Sequence, residues 1–237
     1  MNSLEISSPL DFKNKAITLF NEQYNNNSIY NKYCKLLKIQ PNQIKELSHI
    51  PYLPIQFFKT HKITSNNKII SHLFKSSGTS GARSTNYVSD INLYEHSFRK
   101  CFEFFYGPIK NFVFLGLLPS YLEQKNSSLI YMVTDFIKQS EYQESEFYLQ
   151  NYKKLHNTLI KLKKENKKTI LFGVSYALID FVEKFPVDIS GFTVIETGGM
   201  KGRRKEITRE ELHSKLTVGF NVRNIHSEYG MTELFSQ

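Results

Sequence analysis

A run of six small residues carries the first chemistry that the sequence suggests. Residues 76–81 read SSGTSG and comprise Ser76, Ser77, Gly78, Thr79, Ser80 and Gly81. Small residues let backbone N–H groups and hydroxyls close around an anion, which is how glycine-rich loops hold phosphates. The run lacks the Gly-Lys-Ser/Thr ending of a Walker loop and the GxGxxG spacing of a dinucleotide turn. Serine- and glycine-rich segments are also common as flexible surface linkers, so the run alone is open to either interpretation.

Two further segments carry glycines, hydroxyls and carboxylates after apolar runs. Gly198 and Gly199 follow the run that ends at Glu196. Residues 227–233 read SEYGMTE and follow a short apolar run that ends at His226. In open α/β sheets, ligands bind in the loops at the carboxyl ends of the strands. We therefore expect these two loops and residues 76–81 to lie at such strand ends.

The elements that must position these loops alternate between strands and helices. Apolar runs predict strands over residues 69–74, 112–118, 169–174, 192–196 and 222–226. Helical periodicity and capping residues predict helices over 90–106, 127–139, 151–164, 177–185 and 208–216. Asp90 is expected to cap the first of these helices, and Thr208 and Glu211 form the capping box of the last. The alternation predicts an α/β fold with a mostly parallel sheet flanked by helices. Residues 1–49 are predicted to form a helical N-terminal segment, and residues 50–237 a nucleotide-binding domain.

The charge of the chain favours an anionic ligand but does not indicate a nucleic-acid partner. The 237 residues have a net charge of +9, with lysines spread along the whole chain. The longest basic cluster, between Lys161 and Lys168, has the pattern of the solvated face of one helix. No recognisable nucleic-acid-binding module accompanies it, so no nucleic-acid partner is expected.

Cysteine usage and hydropathy indicate a cytoplasmic protein without a membrane span. Cys34 and Cys101 lack metal-ligand spacing, and both are predicted to pack as small core residues. Residues 1–11 have neither the basic start nor the apolar run of a signal peptide. No segment reaches the roughly 18 uninterrupted apolar residues that a spanning helix needs.

Taken together, the loops resemble the paired signature of the adenylate-forming superfamily, which includes acyl-CoA ligases and peptide-synthetase adenylation domains. That superfamily carries a serine-, threonine- and glycine-rich loop and a downstream YGxTE, which stand here as SSGTSG and YGMTE in the same order. Longer strings resemble the acyl-protein synthetase family more closely: IPYLPI at 50–55, FFKTH at 57–61, LPSYLE at 118–123, ETGGMKGRR at 196–204 and HSEYGMTEL at 226–234. That family includes the fatty-acid-activating component of bacterial bioluminescence and is related to phenylacetate-CoA ligases. The resemblance covers residues 50–237.

The resemblance implies ATP-dependent activation of a carboxylic acid, with a fatty acid as the expected substrate, and transfer of the acyl group to a protein thiol. It also implies a fold like the large N-terminal domain of adenylate-forming enzymes. ATP and Mg²⁺ are the implied cofactors. Hydroxyls and N–H groups of residues 76–81 would hold the β- and γ-phosphates, because catalysis between two anions depends on charge neutralisation and alignment.

The same resemblance assigns roles to individual residues. Thr79, Thr232 and Glu233 are the implied catalytic residues, with Thr232 on the α-phosphate and Glu233 on Mg²⁺. The remaining implied nucleotide-binding residues outside the first loop are Gly198, Gly199, Tyr229, Gly230 and Met231. Those implied to wall the acyl site are Pro119, Ser120 and Tyr121. Lys201, Arg203 and Arg204 either add positive potential near the phosphates or form a basic turn before a helix.

Two departures from the family pattern leave alternatives open. Arg83 stands near where the family loop often carries a lysine, so it either supplies that charge or the contact is lost. The printed sequence ends at Gln237, four residues after Glu233, before the ribose-binding aspartate, the small C-terminal domain and the acceptor cysteine of relatives. We therefore expect an incomplete N-terminal portion with weak or no activity alone. A phenylacetate-type CoA ligase and a non-enzymatic nucleotide-binding remnant remain alternatives, and the oligomeric state is left open.

Overall fold

The computed structural model describes residues 5–65, 68–76, 82–119, 126–200 and 202–235. The chain forms two compact units, Met1–Ser97 and Phe98–Gln237. The predicted boundary between residues 49 and 50 falls within the first unit, and that division stays a prediction. None of the helices in the described ranges combines the length and apolarity that crossing a membrane requires.

The first unit consists of helices followed by a β-hairpin. Its elements are α1 (Pro9–Asn26), α2 (Ser28–Leu36), α3 (Phe57–Thr60), β1 (His72–Lys75), β2 (Thr85–Val88) and the start of α4 (Ile91–Tyr106). Asn27 separates α1 from α2, and its side chain caps α2 by accepting the N–H of Tyr30 at 3.1 Å. Phe20, Tyr30, Cys34 and Ile44 form a small buried core, so the predicted packing of Cys34 is confirmed.

The hairpin corrects the prediction for residues 69–74. The sequence predicts a strand whose following loop opens at the carboxyl edge of the parallel sheet. Instead, β1 pairs with β2 in antiparallel fashion, in a separate two-stranded sheet. Ser76 and Ser84 continue the pairing, because the Ser76 N–H donates to the Ser84 carbonyl at 3.0 Å. Two short strands that are close in sequence can pair directly as a hairpin, whereas parallel pairing needs a longer crossover.

The second unit is built on a five-stranded parallel sheet with the order β4-β3-β5-β6-β7. The strands are β3 (Val113–Leu117), β4 (Glu146–Phe147), β5 (Thr169–Val174), β6 (Thr193–Thr197) and β7 (Ile225–Ser227). Every neighbouring pair in this sheet runs parallel. The prediction of an α/β fold with a mostly parallel sheet is therefore confirmed.

Helices connect the strands of the second unit. They are α5 (Ser128–Gln139), α6 (Tyr152–Lys164), α7 (Ser175–Lys184) and α8 (Arg209–Phe220). The predicted capping box of α8 is present: the Thr208 hydroxyl accepts the Glu211 N–H at 3.2 Å, and the Glu211 carboxylate accepts the Thr208 N–H at 3.3 Å. Asp90 likewise caps α4 as predicted, by accepting the Asn92 N–H at 3.1 Å.

Both faces of the sheet are covered, as the buried runs of β3 and β5 require. On one face, the rings of Phe114 and Phe172 pack with Phe136 of α5 at centroid distances of 5.3 and 6.3 Å. Burying such a ring contributes about 2–3 kcal/mol. On the other face, a Cβ at Gly173 would meet the Leu178 side chain of α7 at 2.4 Å, so any larger residue there would force this side chain to shift.

The prediction for Cys101 is wrong, because its side chain is exposed. The apolar periodicity of residues 90–106 predicts one buried helix stripe that contains Phe98, Cys101, Phe102 and Phe105. In the structure, Phe98 and Phe102 are buried, whereas Phe104 and Phe105 are 83% and 70% exposed. Residues four apart share a helix face, so the pair 98 and 102 faces the core while 101 and 105 face outward.

Candidate active site at the carboxyl edge of the parallel sheet

Two of the three predicted loops leave the same edge of the sheet side by side. β6 runs into Gly198 and Gly199, and β7 runs into residues 228–233, which include Tyr229, Gly230, Met231, Thr232 and Glu233. β6 and β7 are neighbouring parallel strands, with Glu196 in register with Ser227. Their loops are therefore adjacent at the carboxyl edge, where open α/β sheets bind ligands.

Gly198 and Gly199 both have left-handed backbones, with φ values of 68° and 61°. A residue with a side chain is strained in this region, whereas glycine enters it without steric cost. Space is not the constraint at Gly199, because the nearest atom to an added Cβ is a carboxylate oxygen of Glu206 at 4.0 Å. The loop is exposed and free of side chains at both positions, which lets a ligand approach the backbone closely.

The loop after β7 is tied directly to the end of β6. The Glu228 N–H donates to the Glu196 carbonyl at 2.9 Å, and the Thr197 hydroxyl donates to the Glu228 carboxylate at 2.5 Å. Beyond this anchor, Tyr229 is 75% exposed and its hydroxyl contacts the Met231 sulfur at 3.2 Å. An exposed ring in this loop is available for stacking on a planar ligand.

Thr232 and Glu233 are half-buried in the turn that closes this segment. The turn is held by the Leu234 N–H, which donates to the Met231 carbonyl at 2.9 Å. A hydroxyl and a carboxylate on successive residues thus follow the Tyr229 ring within one short loop. This combination suits recognition of a phosphate together with a hard cation.

A buried carboxylate, for which the sequence predicts no role, lies beneath both loops. Glu196 is only 7% exposed, and each of its carboxylate oxygens accepts a hydrogen bond from a serine hydroxyl. Ser175, the first residue of α7, donates at 2.9 Å, and Ser227, the last residue of β7, donates at 2.6 Å. The sequence carried one signal: Glu196 ends the apolar run at 192–196, and a carboxylate that continues a buried strand needs hydrogen-bond partners.

His213 of α8 completes this cluster, but the geometry is not that of a catalytic triad. Its Nε2 atom lies 3.6 Å from a Glu196 carboxylate oxygen and 3.4 Å from the Ser227 hydroxyl. In a triad the serine and the carboxylate contact opposite nitrogens of the imidazole ring. Here both approach the same nitrogen, and the serine hydroxyl donates to the carboxylate itself. The arrangement therefore holds strand ends together rather than activating a serine.

A polar cleft of about 360 Å³ opens near the same edge. Its lining residues come from the loop after β3, the start of α6, α7 and the turn after β6: Pro119, Gln150, Tyr152, Tyr176, Asp180, Lys184 and Arg203. Burial raises the pKa of the Tyr152 hydroxyl. Pro119 thus lines a cleft, as a wall residue of a substrate site would, although its role in acyl binding stays a prediction.

The basic turn after β6 is partly engaged in ion pairs. Arg204 donates to both carboxylate oxygens of Glu183 at 3.0 and 2.6 Å, and to Asp180 at 2.7 Å. The hydrogen bonds from Arg204 to Glu183 lower the pKa of the Glu183 carboxyl. Arg203 lies over the Tyr176 ring at 5.2 Å. For Arg204 this favours the second of the two interpretations above, a basic turn fixed to α7.

The remaining predicted site residues belong to other parts of the chain. Ser76 lies in the first unit, where its hydroxyl accepts the Ser84 N–H at 3.0 Å. The others lie outside the described residues: Ser77, Gly78, Thr79, Ser80, Gly81, Ser120, Tyr121 and Lys201. The predicted convergence of the first loop with the other two on a single triphosphate therefore stays a prediction.

Comparison with known proteins places this chain among its relatives. The family profile described as "Acyl-protein synthetase, LuxE" matches residues 2–236. The chain belongs to the LuxE acyl-protein synthetase family. A Photorhabdus luminescens protein named long-chain-fatty-acid–luciferin-component ligase is 37% identical to this LuxE family member over 73 residues. The aligned segment is 30% of this chain and 62% of that relative, so it spans less than two thirds of either protein.

Proposed function

We propose that this LuxE family member is an adenylate-forming ligase that activates a fatty acid with ATP and transfers the acyl group to a protein thiol. Family membership supports the enzyme class. The name of the Photorhabdus relative supports a long-chain fatty acid as the substrate. The observation that carries the proposal is the meeting of residues 198–199 and 228–233 at the ends of adjacent parallel strands, tied by the Glu228 hydrogen bonds.

In the first half-reaction, a carboxylate oxygen of the acid attacks the α-phosphorus of ATP. The bond between the α-phosphorus and its bridging oxygen breaks, and pyrophosphate leaves with the electron pair. Both reactants are anions, so the protein contributes mainly by alignment and by stabilising negative charge. In the second half-reaction, a thiolate attacks the acyl carbonyl, AMP leaves, and a thioester remains.

The residues of the two adjacent loops suit the nucleotide. The backbone at Gly198 and Gly199 borders the adenine in this proposal, and the exposed Tyr229 ring stacks on it. The Thr232 hydroxyl donates a hydrogen bond to the α-phosphate as negative charge develops there in the transition state. The hydroxyls of residues 76–81 are proposed to hold the β- and γ-phosphates.

Glu233 is the proposed Mg²⁺ ligand, and its half-buried carboxylate fits that ion. Within the described residues, no group of three or more His, Cys, Asp or Glu side chains is placed to hold a metal together. Magnesium does not need such a group, because it binds through one or two carboxylates and takes its other ligands from phosphates and water. When bound, the ion neutralises charge on the phosphates.

The proposal can be tested by calorimetry with a non-hydrolysable acyl-adenylate analogue, an acyl sulfamoyl adenosine. We expect it to bind at least about 100-fold more tightly than ATP, because it joins both reactants in one molecule. A series of acyl chain lengths then identifies the preferred acid. ATP–pyrophosphate exchange with that acid measures the first half-reaction, and added CoA or candidate acceptor protein measures the second.

Glu233→Gln and Glu210→Gln provide the matched comparison. Glu210 is an exposed carboxylate in the first turn of α8 and has no proposed role in binding. We expect Glu233→Gln to abolish the Mg²⁺ dependence of ATP binding and Glu210→Gln to retain it. Failure of the wild-type chain to bind either ATP or any acyl-adenylate analogue would refute the proposed function.

A further inference from the structure

We infer that Glu196 is a positioning residue that sets the geometry of both edge loops for nucleotide binding. The inference rests on the proposed function and extends it to a residue beneath the site. Glu196 lies two positions before the first of the left-handed glycines, and its carbonyl accepts the N–H of Glu228, the first residue of the loop after β7. Its position therefore links the two segments proposed to bind ATP.

The Glu196 side chain ties three consecutive strands of the sheet together at one edge. Ser175 directly follows β5, Glu196 lies in β6, and Ser227 ends β7. The two serine hydroxyls occupy different oxygens of one carboxylate, at 2.9 and 2.6 Å. Because hydrogen bonds to a carboxylate are stronger than those between neutral groups, each bond restrains the strand end that donates it.

Burying a carboxylate at this position costs desolvation free energy. An ionised carboxylate that leaves water is stabilised only when hydrogen bonds replace its hydration. An apolar residue would fill the same position in β6 without that requirement, as Val194 and Ile195 do just before it. The function that distinguishes Glu196 from these neighbours is the direction it imposes on Ser175 and Ser227.

The geometry of Glu196 indicates a positioning role and not a catalytic one. The carboxylate is buried, and both oxygens are engaged by hydroxyls, with His213 close to one of them. It therefore acts on the nucleotide through the loops that it holds. Because Ser175 and Ser227 each donate one of these hydrogen bonds, each is expected to carry part of the effect.

The test compares Glu196→Gln, Ser175→Ala and Ser227→Ala with the wild-type chain. We expect Glu196→Gln to weaken ATP binding roughly tenfold to a hundredfold, because the amide offers one oxygen acceptor where the carboxylate offers two. Each serine variant should show a smaller loss. Hydrogen exchange of the ligand-free proteins should accelerate at residues 198–200 and 228–233 in Glu196→Gln.

Thr169→Val is the matched control for a general loss of stability. Thr169 is buried at the first residue of β5, the opposite end of that strand from Ser175, and its hydroxyl donates to the Lys167 carbonyl at 3.0 Å. It should lower the melting temperature without changing ATP affinity or exchange in the two loops. Wild-type affinity and wild-type loop exchange in all three test variants would overturn the inference. Absence of ATP binding by the wild type would instead refute the proposed function, and the exchange measurement would still decide whether Glu196 orders the loops.

Discussion

Consecutive left-handed residues restrict which side chains the loop after β6 accepts. Gly198 and Gly199 enter this region at no steric cost, whereas a residue with a Cβ is destabilised by roughly 1–2 kcal/mol. The restriction arises from the backbone of the residue itself, so it applies even where no neighbouring atom would contact a side chain. The shape of the loop at the candidate nucleotide site therefore depends on glycine at both positions.

Gly198→Ala should lower both the unfolding free energy, by about 1 kcal/mol, and the affinity for ATP, by about tenfold. The matched control is Gly191→Ala, since Gly191 also has a positive φ, 93°, and an added Cβ there meets no atom within 4 Å. Gly191→Ala should lower stability similarly and leave ATP affinity unchanged. Chemical denaturation and calorimetry separate the two effects, and equal ATP affinities in the two variants would contradict this role of Gly198.

The two thiols should differ strongly in reactivity. Cys34 is fully buried, and burial raises the pKa of its thiol, so little thiolate is accessible to a reagent. Cys101 is exposed on α4. A thiol-specific disulfide reagent should therefore modify one thiol quickly in the native chain and the second only on unfolding. Cys101→Ser should remove the fast phase, and a fast phase that survives in this variant would contradict the burial of Cys34.

At the level of secondary structure, Arg204 fixes the turn after β6 to α7. Its guanidinium bonds to Asp180 and to both oxygens of Glu183, an arrangement that a lysine cannot reproduce because it lacks the planar fork. The side chains are about one third to one half exposed, so solvent screens the pairs. Their main contribution is to hold the turn that follows Gly198 and Gly199.

Arg204→Ala should destabilise the protein by about 0.5–1 kcal/mol at pH 7. The pKa of Glu183 is lowered by its bonds to Arg204, so its stabilisation is complete above the unfolded pKa of about 4.3. It is lost as the pH falls through the lower pKa of the folded state. The difference in unfolding free energy between wild type and variant should therefore shrink below about pH 4. Denaturation curves at several pH values test this, and an equal difference at pH 3 and pH 7 would count against it.

Most long elements could be predicted from the sequence because their signals are local. The apolar run at 169–174 matches β5 residue for residue, and Thr208 and Glu211 predicted the start of α8. The two-residue strand β4 and the strand β2 were missed, because neither has enough length for periodicity to appear. The sequence of β1 alone did not show whether this strand pairs with β2 or joins the parallel sheet.

The Glu196 cluster was missed for a different reason. Its serine partners lie 21 and 31 residues away in sequence, and only the parallel register brings them to one edge. The glycine and YGMTE loops were predicted as site residues because their composition is visible locally. That these two loops are neighbours, and that a carboxylate lies beneath them, became visible only from the strand order of the sheet.

For the molecule as a whole, the net charge of +9 predicts that anionic ligands bind more weakly as salt rises. ATP affinity should fall by roughly threefold to tenfold between 50 and 500 mM salt, since screening shortens the range of the positive potential. Adenosine, which shares the base and lacks the phosphates, is the control and should show little dependence. Identical salt dependence for both ligands would indicate that the charge of the chain does not contribute to binding.

The outward-facing thiol of Cys101 gives the protein a single natural attachment point. A fluorophore or spin label would couple there in the unmodified sequence, because the only other cysteine is enclosed by the N-terminal helices. Anisotropy or distance measurements from that position would follow substrate and acceptor binding without introducing a cysteine. The flanking Phe104 and Phe105 rings would make the emission of such a dye sensitive to anything that covers this helix.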